Sequence, residues 1–321
     1  MKSIFSIFLI AVFYLPATGF AASSSISGSD QKAVLVTGAS SGIGRQIALT
    51  LADHGFFVYA GARKEIDIDA LSALPNIQGI RLDVTVQSEI DIAVSTVKQQ
   101  GKGLYGLVNN AGIFLFDPLI EVSEQDMDFI MDVNVLGPYR VTRAFAPLLI
   151  ENKGRIITTG SIAGIFSGSM MGPYGMTKHA MESFTESLAS EMAKFNVQVS
   201  IVEPGNFRSN IMQNMQQRLD QLNDGKRQSL FTEELARFAS FADTDRSQHM
   251  EPLPVANAVL HFMTDEQPRP RYMVAPNANE AHYTVGKALE RAIELNQGQP
   301  YALSQQELID RLTQLINQAN P

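Results

Sequence analysis

Ala33-Val34-Leu35-Val36-Thr37-Gly38-Ala39-Ser40-Ser41-Gly42-Ile43-Gly44 decides the fold. Ala33 to Val36 is a short apolar run of strand type, and Ile43 to His54 has the apolar spacing of a helix. The glycines between them, Gly38, Gly42 and Gly44, permit a tight turn. They also let a pyrophosphate approach the backbone N–H groups at a helix N-terminus. The spacing, three residues and then one between glycines, differs from the common Gly-x-Gly-x-x-Gly dinucleotide fingerprint.

Outward from this turn, strand and helix patterns alternate. Phe56 to Ala60 reads as a second strand, Ile77 to Leu82 as a third and Leu104 to Val108 as a fourth. Ser88 to Gln100 has helical spacing, and Ser123 with Asp126 resembles a capping box opening a long helix towards Ile150. Arg155 to Thr158 is a fifth strand, Tyr174 to Phe195 a helix and Val197 to Val202 a sixth strand. Such alternation predicts an α/β fold, a doubly wound parallel sheet covered on both faces. Ligands of such sheets sit at the carboxyl ends of the strands, where the strand order reverses. After Pro204 the pattern changes: Asn210 to Ser247 is polar, Gln-rich and helix-prone. Strand-like Tyr272 to Val274 and amphipathic helical sequence follow, predicting a substrate-covering segment, a last strand, and helices that cap the domain or oligomerise.

The whole chain of 321 residues suits one large α/β domain, and its 45% hydrophobic and 18% charged residues are those of a globular protein. A net charge of -8 offers no basic surface for nucleic acid. The absence of cysteine excludes disulfides, zinc-thiolate sites and cysteine nucleophiles, and no metal is expected. Residues 1–22 differ from the rest: Lys2, then the apolar Ile4 to Phe13, then Pro16, Gly19 and Ala21. That order reads as a secretory signal peptide, hence an exported or periplasmic protein. Two alternatives stand beside it: an uncleaved membrane anchor, and a misassigned start that leaves the protein cytoplasmic. Residues 23–30 are Ser/Gly-rich, as a linker is.

The glycine spacing resembles that of the short-chain dehydrogenase/reductase family, and further motifs follow in order. Asp83-Val84 follows the third strand, Asn109-Asn110-Ala111-Gly112 the fourth, and Pro204-Gly205 closes the sixth. Asn134, Ser161, Tyr174 and Lys178 fall where the family's catalytic tetrad does. The resemblance is strong over 32–209 and weaker to Pro276. It implies a Rossmann-type domain over 31–276, with a lid at about 210–250 and a helical extension over 277–321. It also implies an NAD(P)-dependent oxidoreductase acting on an alcohol or ketone. In that frame Gly38, Ser40, Ser41, Gly42, Ile43 and Gly44 hold the pyrophosphate, and Asp83 and Val84 meet the adenine. Asn110, Ala111, Gly112, Tyr174, Lys178, Pro204 and Gly205 complete the cofactor site.

The chemistry of these residues can be read independently. Tyr174 and Lys178 are four apart on one helix and share a face. An ammonium beside a phenol favours the phenolate, so Lys178 is expected to lower the pKa of Tyr174 and fit it for acid–base work. Ser161 lies just past the fifth strand, placed to hydrogen-bond a substrate oxygen; Ser167 and Ser169 lie further along the loop. Pro138 has no N–H for the carbonyl of Asn134, four residues earlier, which predicts a kink and a carbonyl free to bind water. The resemblance implies that such a water leads to Lys178. His179 is read as structural.

Where NAD-specific relatives end the second strand with Asp, this chain has Ala62 followed by Arg63 and Lys64. Without a carboxylate, a 2′-phosphate is not repelled and Arg63 can pair with it, favouring NADP, with NAD as the alternative. Val199 to Phe207, Tyr59-Ala60-Gly61 and His179 to Phe184 resemble the branch of hydroxysteroid, retinol and 3-hydroxybutyrate dehydrogenases. Phe114, Phe116, Ile165, Phe166, Met170 and Met171 are candidates to line an apolar pocket for a lipophilic alcohol or ketone, or else are core packing. Competing readings are a cofactor-binding regulator, a short hydroxy-acid dehydrogenase using NAD, and an epimerase or dehydratase. The expected partners are a small-molecule substrate, further copies of the chain and, through the N-terminus, a membrane.

Overall fold

The computed structural model describes residues 31–209, 211, 228–242 and 248–319. The expected signal or anchor segment, the linker and most of the polar stretch after Ser209 therefore lie outside the described residues. Seven parallel strands form one sheet: β1 (Ala33–Val36), β2 (Phe57–Ala62), β3 (Ile77–Arg81), β4 (Gly106–Asn109), β5 (Arg155–Thr159), β6 (Gln198–Pro204) and β7 (Arg271–Val274). Their order is β3-β2-β1-β4-β5-β6-β7, so the winding reverses between β1 and β4. Register is set by pairs such as Leu35 with Tyr59 and with Leu107.

All four residues of β1 are buried, because side chains that alternate across the sheet meet helices on both faces. Val34 and Val36 pack with Ile47 and Leu51 of α1 (Gly42–Asp53) and with Val255, Val259 and Phe262 of α8 (Leu253–Thr264). Ala33 and Leu35 pack on the opposite side with α3 (Gln87–Gln100), α5 (Gly137–Glu151) and α6 (Gly172–Met192), through Ile90, Phe145 and Met192.

Two elements depart from the sequence expectation. α2 (Glu65–Ser72) was hidden because Ile66, Ile68 and Ala70 alternate with Asp67 and Asp69, a period that favours strand over helix. The long helix from Ser123 is broken into α4 (Glu124–Met131), a π-helical turn (Asp132–Leu136) and α5. Its start is as expected, with Ser123 Oγ accepting the N–H of Asp126 at 3.1 Å. The proline is accommodated by widening the helix, with Gly137 donating its N–H to the carbonyl of Asp132, five residues back. In the expected lid region lies α7 (Thr232–Ala242), entered from Ser229 and Leu230, which both hydrogen-bond the carboxylate of Glu121. Beyond β7 come α9 (Ala278–Asn296) and α10 (Gln305–Ala319). No described helix is long and apolar enough to cross a membrane.

Candidate active site

The carboxyl ends of the strands open into a cavity of about 830 Å³. One end is the glycine turn. Gly38 and Gly42 have φ of +65° and +55°, and a Cβ on Gly44 would sit 2.3 Å from both Gly38 O and Asn110 Nδ2. No side chain caps the N-terminus of α1 and its first turn carries no acid, so its N–H groups face the cavity with nothing to repel an anion. This cradle fits the pyrophosphate of a dinucleotide. Thr37, which the sequence reading passed over, locks it in place: its Oγ accepts the N–H groups of Asn110 and Ala111 at 2.9 and 3.0 Å. Asn110 also braces the turn, donating to Thr37 O at 3.1 Å.

Gly38, Ser40, Ser41, Gly42, Ile43 and Gly44 line the cavity, as do Arg63, Asp83, Val84, Asn110, Ala111, Gly112, Pro204 and Gly205. Arg63 is well exposed and lies 3.8 Å from Asp83 Oδ2. Asp83 is held in turn by the N–H and hydroxyl of Thr85.

Ser161, Tyr174 and Lys178 converge on the same cavity. Tyr174 hydrogen-bonds Ser161, and Lys178 Nζ lies 5.5 Å from the centre of the Tyr174 ring while donating to Thr159 O at 2.9 Å. The acidity differs from the sequence expectation. Burial pushes the Tyr174 phenol up to about 12, against the opposing pull of the Ser161 hydrogen bond. Burial likewise brings Lys178 down to about 8, against the charge of Glu182. In the ligand-free protein the loss of water around the phenolate outweighs the help from Ser161.

Asn134 does not line this cavity. It is buried, with Oδ1 accepting the Ile113 N–H at 2.8 Å and Nδ2 donating to Ile113 O and Thr177 Oγ1. Thr177 passes the connection on to the carbonyl of Tyr174 at 2.7 Å. The side chain of Asn134 thus ties the loop after β4 to the start of α6. His179 is turned away: its Nδ1 meets Gly175 O, and its Nε2 lies near Arg291.

The other end of the cavity is aromatic. Phe114, Phe116, Phe166 and Met171 line it, whereas Ile165 and Met170 do not. Met170 is buried, with a carbonyl that accepts the Asp117 N–H. Phe238 of α7 stacks on Phe116 with ring centres 3.6 Å apart, and Tyr283 of α9 meets Phe166 edge-on at 5.0 Å. Neither was identifiable beforehand, because both come from helices remote in sequence from the motifs.

The family described as short chain dehydrogenase matches residues 32–220. Bovine (Bos taurus) mitochondrial D-beta-hydroxybutyrate dehydrogenase is 33% identical over 293 residues, covering 83% of each chain. Mouse (Mus musculus) retinol dehydrogenase 5 is 37% identical over 181 residues, 55% of this chain and 57% of its own. A short chain dehydrogenase/reductase from Burkholderia phymatum, solved with NAD, superposes with a TM-score of 0.70 at 25% identity, covering 87% of this chain and all of its own. Solved neighbours hold NAD in some cases and NADP in others. The chain accordingly belongs to the short-chain dehydrogenase/reductase family, as an NAD(P)-dependent oxidoreductase acting on CH–OH groups.

Proposed function

We propose that the protein interconverts a lipophilic ketone and its secondary alcohol, of steroid or retinoid type, using NADP(H). One observation carries the substrate class: the wall beyond Tyr174 is built from Phe114, Phe116, Phe166, Met171, Phe238 and Tyr283. Among the described lining residues the charged ones are Arg63, Asp83, Lys178 and Glu280. Arg63 and Asp83 lie at the cofactor end and Lys178 is occupied by Thr159, so no described cation at the aromatic end awaits a substrate carboxylate. Glu280 would repel one.

In reduction Ser161 holds the carbonyl oxygen and Tyr174 gives it a proton; in oxidation Tyr174 takes the proton back. The bound nicotinamide supplies or accepts the hydride. Lys178, kept near the phenol, favours the state in which Tyr174 has lost its proton. Asn134 contributes a carbonyl that Pro138 cannot bond, and we assign it the water that returns protons towards Lys178. NADP is favoured because β2 ends in Ala62 with exposed Arg63 beyond it, a pairing that accepts a 2′-phosphate.

The same proposal takes residues 1–22 as an export or anchoring segment, to be checked by N-terminal sequencing of the natural protein. It takes the exposed apolar stripe of α10, Leu312, Leu315 and Ile316, as a contact between copies of the chain, to be checked by light scattering. The substrate test is a panel of steroid and retinoid carbonyls against acetoacetate, each with NADPH and NADH, followed by the absorbance of the reduced nicotinamide. Turnover of lipophilic carbonyls with NADPH is the expected outcome. Preferential turnover of acetoacetate with NADH would overturn both the substrate class and the cofactor.

A further inference from the structure

Behind the Tyr174–Lys178 pair lies a group of charges that the chemistry above does not use. Tyr174, Lys178 and Glu182 follow one another at four-residue intervals, one stripe of α6. Thr159, Gly160 and Ser161, leaving β5, meet that stripe residue by residue. Thr159 O accepts from Lys178, and Ser161 hydrogen-bonds Tyr174. Gly160 and Gly164 leave room for Glu182: a Cβ on them would lie 3.4 and 2.7 Å from Glu182 Oε1.

Arg271 of β7 clamps this carboxylate. It donates to Glu182 Oε2, to Glu203 Oε1 at 2.6 Å and to Glu186 Oε1 at 3.2 Å. Glu203 comes from β6 and is fully buried. With both carboxylates ionised, Glu182 Oε1 and Glu203 Oε2 are buried without a hydrogen-bond partner. The two groups are also within hydrogen-bonding reach of each other, a contact that requires one of them to hold a proton. Burial, and then the charge of Glu182, push Glu203 up to about 7, so Glu203 is the group that holds it. Glu182 is the carboxylate one helical turn from Lys178, and it is bonded by the Arg271 guanidinium. The charged groups facing Glu182 are thus Lys178 and Glu186 from α6, Glu203 from β6 and Arg271 from β7.

We propose that Glu182 is a positioning residue for the proton-transfer pair: its buried carboxylate, braced by Arg271, supplies the counter-charge that keeps Lys178 an ammonium beside Tyr174. Glu182 touches neither substrate nor cofactor and acts through Lys178. The inference rests on Tyr174 and Lys178 acting as assigned above, so its test includes a readout independent of turnover.

Lysine labelled with ¹³C at Cε, its Lys178 resonance assigned by its absence in Lys178→Arg, reports the Lys178 midpoint in the ligand-free protein. Glu182→Gln is expected to lower that midpoint by about one pH unit, the direction set by loss of a neighbouring negative charge. Glu203→Gln, which mimics the protonated partner, is expected to leave it within a few tenths of the parent value. The alkaline fall of kcat/KM for reduction moves down in parallel in Glu182→Gln and stays in place in Glu203→Gln. Coupling between sites is reciprocal, so a second measurement does not need Glu182→Gln to fold. In protein labelled with ¹³C at glutamate Cδ, Lys178→Met is expected to raise the carboxyl midpoint of the Glu182–Glu203 pair. An unmoved Lys178 midpoint in folded Glu182→Gln, or an unmoved carboxyl midpoint in Lys178→Met, overturns the proposal. Both leave the substrate assignment standing, because neither depends on a substrate.

Discussion

Tyr174 has to lose and regain a proton in a largely buried place, and its neighbours determine how readily. Replacing it by Phe removes the donor without disturbing the tilted contact with Phe114, 4.7 Å away. Turnover is expected to fall by at least about 100-fold while cofactor affinity, measured by fluorescence titration, stays near the parent value. The pH dependence follows from Lys178. Its pKa is lowered to about 8, so the ammonium is present below that value and lost above it. kcat/KM for reduction, which reports the free enzyme, should therefore be level below about pH 8 and decline beyond it. Oxidation needs the phenolate of a group pushed up to about 12 and should increase relative to reduction as the solution becomes more alkaline. A reduction profile flat well into the alkaline range would show that Lys178 is not titrating there. At the cofactor end, Arg63→Ala should raise KM for NADPH by about tenfold and leave that for NADH nearly unchanged. These roles were legible as residue types at fixed intervals. The direction of the Tyr174 shift was not, because it depends on burial, which spacing does not reveal.

At the scale of elements, the glycine turn and α1 were readable because strand, turn and helix are adjacent in sequence and each carries its own local pattern. α2 was not, since Ile66-Asp67-Ile68-Asp69-Ala70 alternates like a strand edge and its helix is selected by close packing on β3. A Cβ on Gly79 would lie 2.3 Å from Ile68 O, and Ser72 Oγ accepts the Gly79 N–H. The effect of Pro138 was readable as an interruption but not as a π-helical turn, because the widening depends on how α4 and α5 pack. An equally tight constraint is Gly44, where an added methyl meets Gly38 O and Asn110 Nδ2 at 2.3 Å. Gly44→Ala is expected to cost about 1–3 kcal/mol in denaturant unfolding and to weaken dinucleotide binding, since the same backbone shift opens the cradle. Unchanged unfolding midpoint and affinity would mean that the turn relaxes freely.

For the molecule as a whole, the sequence specified the alternation that builds a seven-stranded sheet, but not which distant segments close the site. Phe238 and Tyr283 reach the cavity from α7 and α9, through contacts with Phe116 and Phe166 more than a hundred residues earlier in the chain. Ending the chain before Gln305 removes α10 alone and should leave KM for a lipophilic ketone near the parent value. Ending it before Ala278 also removes Tyr283 and Glu280, and should raise that KM severalfold with less effect on KM for the cofactor. Equal effects of the two truncations would show that α9 takes no part in holding substrate. The exit of β5 has a further consequence for anyone recombining this chain with its relatives. Thr159, Gly160 and Ser161 are matched one by one to Lys178, Glu182 and Tyr174, so 159–182 behaves as a single inheritable cassette. Crossovers placed outside it can exchange Phe114, Phe116, Phe238 and Tyr283 of the aromatic wall and retune what is bound, whereas a crossover within it separates halves that were fitted to each other.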